Sequence, residues 1–153
     1  PERDKLFQLI SLPIKTKVSI MVLEENKDIL ANKPIESLSY SVVRQDIGEH
    51  LLDKQLNIKN KIVTTSASSM LAMLLHKRVE AIAYSKLVAN FQLSKFGLED
   101  KNLVSIYTLN DNFKTAFVFH KDTSACVSTL FSQTISSLDK KGEIGRVVRK
   151  YQL

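Results

Sequence analysis

The 153-residue chain has no tryptophan, one cysteine, three prolines and four glycines. A single cysteine cannot close an internal disulfide, and no metal site can be built on cysteine pairs. Scarce glycine and proline set the chain apart from low-complexity and disordered sequences. No apolar run approaches 18 residues, so no segment reads as a membrane-spanning helix. There is no internal repeat. No HExxH, GxSxG or phosphate-loop pattern occurs, and His50, His76 and His120 stand apart from one another. An enzyme is therefore not expected, and neither is a cofactor or a metal. Cys126, at the apolar start of a helical stretch, reads as a small buried residue.

What is present is the composition of a globular protein, 44% hydrophobic and 25% charged, with a formal charge of +6. The basic residues are spread along the chain. Their densest run, Lys140 to Lys150, contains Glu143 and little aromatic interleaving, so nucleic acid is not an expected partner. A small polar or anionic solute suits the positive charge.

Hydrophobic patterning places strands at Val18–Leu23, Tyr40–Arg44, Lys61–Thr65, Val79–Tyr84, Leu103–Tyr107 and Thr115–Phe119. Helices are predicted at Gly48–Leu56, Ser69–Lys77, Leu87–Phe96, Ser124–Lys140 and Glu143–Tyr151. Ser66 or Ser68 caps the second of these, and Gly97 ends the third. Strand–helix alternation from Tyr40 to Tyr107 implies βαβ units in an α/β fold with a mostly parallel sheet.

Three segments carry a more specific pattern. They are Pro1-Glu2-Arg3-Asp4-Lys5-Leu6-Phe7 with Ser11-Leu12-Pro13-Ile14, then Lys77-Arg78-Val79-Glu80-Ala81-Ile82-Ala83, then Lys141-Gly142-Glu143-Ile144 through Arg149-Lys150-Tyr151. In this order and spacing they resemble bacterial extracytoplasmic solute-binding proteins of the family 3 type, the polar amino-acid receptors of ABC transporters. The resemblance spans the whole chain, which looks like a member lacking its N-terminal part. It implies a type II periplasmic-binding-protein-like fold of two lobes with mostly parallel sheets. Residues 24–112 would form the second lobe. Residues 1–23 and 113–153 would form a first lobe that is incomplete, with the C-terminal helices packed on it. A solute would sit in the cleft between lobes. The expected location is the periplasm, with the signal peptide absent from this sequence.

The resemblance also nominates residues. Arg3 matches the family arginine whose planar fork grips a ligand carboxylate. Gln45, Asp46 and Ile47 stand where relatives carry a glycine and hydroxyl residues, and Asp46 would repel a carboxylate or hold a cationic group. Ser85 stands where amino-acid receptors place an acidic residue for the ligand ammonium. Both departures argue against a simple α-amino acid ligand. Thr65 and Ser66, with Thr64, lie between a strand end and a helix start, where they serve either ligand binding or capping. Tyr84 either lines the cleft or fills the core.

The expected role is capture of a small polar ligand for an ABC-type importer, docking on its membrane subunits, or for a sensor. A membrane helix beyond Leu153 would mark the sensor. Two other readings stay open. One is a degenerate binding fold that has become a protein-interaction module. The other is the effector domain of a transcription regulator, which needs a helix-turn-helix before Pro1. The incomplete first lobe leaves a sheet edge or apolar face to cover, which suggests self-association.

Overall fold

The computed structural model describes residues 6–98 and 102–150. In chain order the elements are β1 (Phe7–Leu23), α1 (Lys27–Leu30), β2 (Tyr40–Val43), α2 (Ile47–Leu51), β3 (Lys61–Thr64), α3 (Ala67–Leu75), β4 (Ala81–Ser85), α4 (Lys86–Lys95), β5 (Leu103–His120), α5 (Ala125–Lys140) and α6 (Glu143–Lys150). The chain divides into two compact units, one of residues 16–111 and one of residues 1–15 with 112–153. The long strands β1 and β5 each run from one unit into the other.

The unit of residues 16–111 is doubly wound. The sheet order is β3-β2-β4-β1-β5. Strand β2 pairs in parallel with β3, Tyr40 against Lys61 and Val43 against Thr64. It also pairs in parallel with β4, Tyr40 against Ala81. Strand β1 lies antiparallel to β4, with Val18 opposite Ser85 and Met21 opposite Ile82. Alternation along the strands sends side chains to opposite faces. Met21, Leu23 and Ile82 meet Met70, Leu71 and Leu74 of α3 and Ala89 and Leu93 of α4 in one buried cluster. On the other face α2 comes close enough to β4 that a β-carbon on Gly48 would lie 2.0 Å from the Ala83 carbonyl oxygen. Each fully buried Leu or Met in such a core contributes roughly 1.5–3 kcal/mol.

Local chemistry ends the helices where the sequence asks. Gly97 takes a left-handed conformation (φ +64°) after α4, and the Leu98 N–H donates to the Leu93 carbonyl at 3.1 Å. Lys77 makes the same turn after α3 without being a glycine, at φ 56°. Helix α2 widens into a π-helical turn over Leu52–Leu56 and stops at left-handed Asn57, where a single longer helix was expected.

The other unit is thinner. Its parts of β1 and β5 are joined by the Lys121 N–H on the Leu6 carbonyl (3.0 Å), and the Gln8 amide donates to the Lys121 and Thr123 carbonyls at 2.7 and 3.0 Å. Phe131 of α5 packs edge-on against Phe117 and Phe119, with ring centres 5.0 and 5.1 Å apart. No described residue of this unit is buried. Cys126 is accordingly exposed, not the buried residue its apolar neighbours implied, because α5 has no closed core to enter.

Two further expectations are corrected. Strand β1 begins at Phe7 instead of Val18, as a half-buried alternating stretch that precedes the fully buried run. The strands expected at Leu103–Tyr107 and Thr115–Phe119 are one continuous strand, β5, which carries Asn110-Asp111-Asn112 in extended form. Among the described residues no helix is long and apolar enough to cross a membrane.

Candidate functional site

Strand β2 is followed in the chain by β3 on one side and then by β4 on the other. The connections therefore diverge at β2, which makes the carboxyl ends of β2 and β4 a topological switch point. In open α/β sheets such a switch point is where ligands bind. Six of the seven nominated residues fall at this edge. Gln45 and Asp46 follow β2, Thr65 and Ser66 follow β3, and Tyr84 and Ser85 end β4. The seventh, Arg3, lies outside the described residues.

Each of the six is held in a specific way. Gln45 is exposed and left-handed (φ 58°), and its N–H donates to a Glu49 carboxylate oxygen at 2.6 Å. Asp46 stands at the start of α2 without its carboxylate capping the helix. Its N–H donates to the Val43 carbonyl at 3.2 Å. Thr65 is exposed. Ser66 caps α3: its hydroxyl oxygen accepts the Ser69 N–H at 3.1 Å. The neighbouring Thr64 is buried, and its hydroxyl donates to the Val42 carbonyl at 2.9 Å. Tyr84 is half-buried against the core cluster. Burial, and then the negative charge of Asp46, push its hydroxyl pKa up.

Ser85 is buried and shares a 2.7 Å hydrogen bond with the Thr16 hydroxyl. Thr16 and Gly48 are the residues that sequence reasoning did not nominate. Nothing local signals Thr16, which is 69 positions from its partner. Gly48 carried a signal, a glycine in the first turn of a helix directly after a strand. Only glycine lets α2 begin against Ala83 and so sets where Asp46 stands.

A concavity of about 580 Å³ lies against α3, lined by Leu71, Leu75, Phe96 and Leu98 together with Ser68, Ser69 and His76. It is mainly apolar and takes none of the strand-end residues. Polar recognition needs convergent polar groups, and this groove is lined mainly by apolar side chains, whereas the strand ends carry mostly polar residues. Among the described residues no group of three or more metal-ligating side chains comes together.

No family model matches the sequence, and no curated relative matches it at a significant level. Solved structures do match. An amino acid ABC transporter substrate-binding protein from Streptococcus pneumoniae, bound to L-arginine, superposes with a TM-score of 0.79 at 17% identity. The chain has the fold of these binding proteins. The match covers 98% of this chain and 62% of that structure. ArgBP from T. maritima, as its P235GK mutant, gives 0.74 at 14% identity over 98% of this chain and 63% of its own. The periplasmic VFT2 domain of BvgS from Bordetella pertussis gives 0.69 at 12% identity, over 99% and 63%. The chain thus spans a little under two thirds of each. A histidine kinase sensor domain with similarity to periplasmic binding proteins gives 0.69 at 13% identity, over 99% and 65%, and at these identities the likeness is one of fold.

Proposed function

We propose that this chain is the solute-binding part of an extracytoplasmic receptor, serving an ABC-type importer or a sensor. A small polar solute binds at the carboxyl ends of β2, β3 and β4. The carrying observation is the gathering of Asp46, Thr65, Ser66 and Tyr84 at the switch point of a parallel sheet, in a fold shared with an arginine-bound substrate-binding protein. Importer and sensor are both supported, because the similar folds include a transporter component and a histidine kinase sensor domain. Docking on importer membrane subunits and self-association belong to the same proposal. Exposed Val127, Leu130 and Val147 support the latter.

The test is a thermal-shift screen of the chain against amino acids, amines, di-acids and sugars. A solute at a hundredfold excess over its Kd stabilises the folded state by about 2.7 kcal/mol, a rise of roughly 5–10 °C in Tm for a domain of this size. A dose-dependent rise with one solute class is expected. Failure of every class to move Tm contradicts solute binding.

A further inference from the structure

The formal charge of +6 is not shared between the two units. Residues 16–111 carry 12 basic against 11 acidic residues, and the other unit carries 10 against 5. Nearly all of the excess thus belongs to the unit that has no buried core. Within it the charge is local. Residues 125–138, most of α5, hold no charged residue, and residues 139–150 hold five basic and two acidic ones. Such asymmetry between parts of a chain marks a surface for an anionic partner.

The structure shows how this segment is presented. Gly142 is left-handed (φ +74°) and its N–H donates to the Asp139 carbonyl at 2.8 Å, which ends α5. The Arg146 N–H donates to the Gly142 carbonyl at 2.9 Å and opens α6, which packs on α5. Helix α6 turns Ile144 and Val148 inward, half-buried, and leaves Arg146, Val147, Arg149 and Lys150 outward. Lys140 and Lys141 are exposed at the corner beside it. Of the two acidic residues, Glu143 is held by Arg146. Set among these cations are apolar side chains in water, Leu138 at 39% and Val147 at 55% exposure.

Basic and apolar side chains on one short amphipathic helix match the boundary of an anionic bilayer, where phosphates meet acyl chains. Nucleic acid fits less well, because residues 138–150 contain no aromatic side chain on which a base could stack. A second copy presenting the same face would meet it with like charge.

We propose that the end of α5 and the outer side of α6 dock on an anionic lipid surface, with the five basic residues at the lipid phosphates and Leu138 and Val147 at the headgroup boundary. This surface is separate from the strand ends, so failure of the proposal leaves the solute-binding reading standing.

Co-sedimentation of the full chain with lipid vesicles tests it, using phosphatidylcholine alone and phosphatidylcholine mixed equally with phosphatidylglycerol. The mixed vesicles are expected to bind at least about tenfold more tightly, and added salt should weaken that binding. Lys141→Glu with Arg149→Glu should weaken it by about tenfold or more with Tm unchanged, since both side chains are exposed. Lys27→Glu with Lys54→Glu makes the same change in net charge at exposed positions of the other unit and should weaken it much less. Val147→Ser, which keeps every charge, should weaken it by a smaller factor than the charge reversal at Lys141 and Arg149. Equal binding to both kinds of vesicle, or to neither, overturns the proposal. So does an equal loss in the two charge-reversed variants, which would show attraction by net charge alone. Tighter binding to a DNA duplex than to the mixed vesicles overturns it in favour of nucleic acid.

Discussion

Thr16 and Ser85 share a single buried hydrogen bond that joins β1 to the end of β4. Removing one hydroxyl leaves the other buried without a partner, a loss of about 1–3 kcal/mol. Thr16→Val is therefore expected to lower unfolding stability in urea by that amount. The double variant Thr16→Val with Ser85→Ala should recover part of the loss, because both partners are then apolar. An additive double variant would show that the pair is not coupled. Ser41 is the converse case. Its hydroxyl is the one buried side-chain polar atom without a partner among the described residues, so it marks a place in the sheet where burial has outweighed polar satisfaction.

At the scale of elements, the end of the sheet opposite the site is closed by a charged bracket. Glu80, just before β4, accepts from Lys33 Nζ at 2.7 Å and from the Ser39 N–H at 3.0 Å, tying it to the segment before β2. The Lys33 hydrogen bond, then the Ser39 N–H, hold the Glu80 carboxyl below its ordinary value of 4.5. A group depressed on folding contributes stability that is fully present above the ordinary value. That stability is lost as pH falls through the lower folded value. Glu80→Gln should thus be less stable than the parent at neutral pH, with the difference closing as pH falls below the ordinary carboxyl value. A constant difference across a pH series of denaturant midpoints would contradict this.

The same scale shows what was legible beforehand. The β2-α2-β3-α3-β4-α4 alternation was readable because each strand is a short apolar run and each helix has its own cap or stop, as at Ser66 and Gly97. The strand-end positions of Gln45, Asp46, Thr65, Ser66, Tyr84 and Ser85 were legible for the same reason, since strand ends follow once strands are known. The continuity of β5 was not legible: Asn110-Asp111-Asn112 has the composition of a turn, and tertiary pairing carried it as strand. The bond between Ser85 and Thr16 was equally hidden, because it depends on which strand lands beside β4.

Over the whole molecule, burial is unequal. Among the described residues, every buried one belongs to the unit of residues 16–111 and none to the other unit, where Leu130 is 63% exposed. Local opening is easiest where few apolar contacts are buried. Hydrogen exchange is expected to be slowest in β2, β4 and the buried half of β1, and faster by about tenfold or more in α5 and α6. Equal protection across both units would show that α5 and α6 are covered in solution, as self-association would do.

The central claim is that a polar solute binds at the carboxyl ends of β2, β3 and β4, and the most direct measurement is a titration followed by backbone amide chemical shifts. With the solute that raises Tm most in the thermal-shift screen as probe, the largest shifts are predicted at Gln45, Asp46, Ile47, Thr65, Ser66, Tyr84 and Ser85. Shifts concentrated instead around Leu71, Leu75, Phe96 and Leu98, or an absence of shifts at the strand ends, would contradict it.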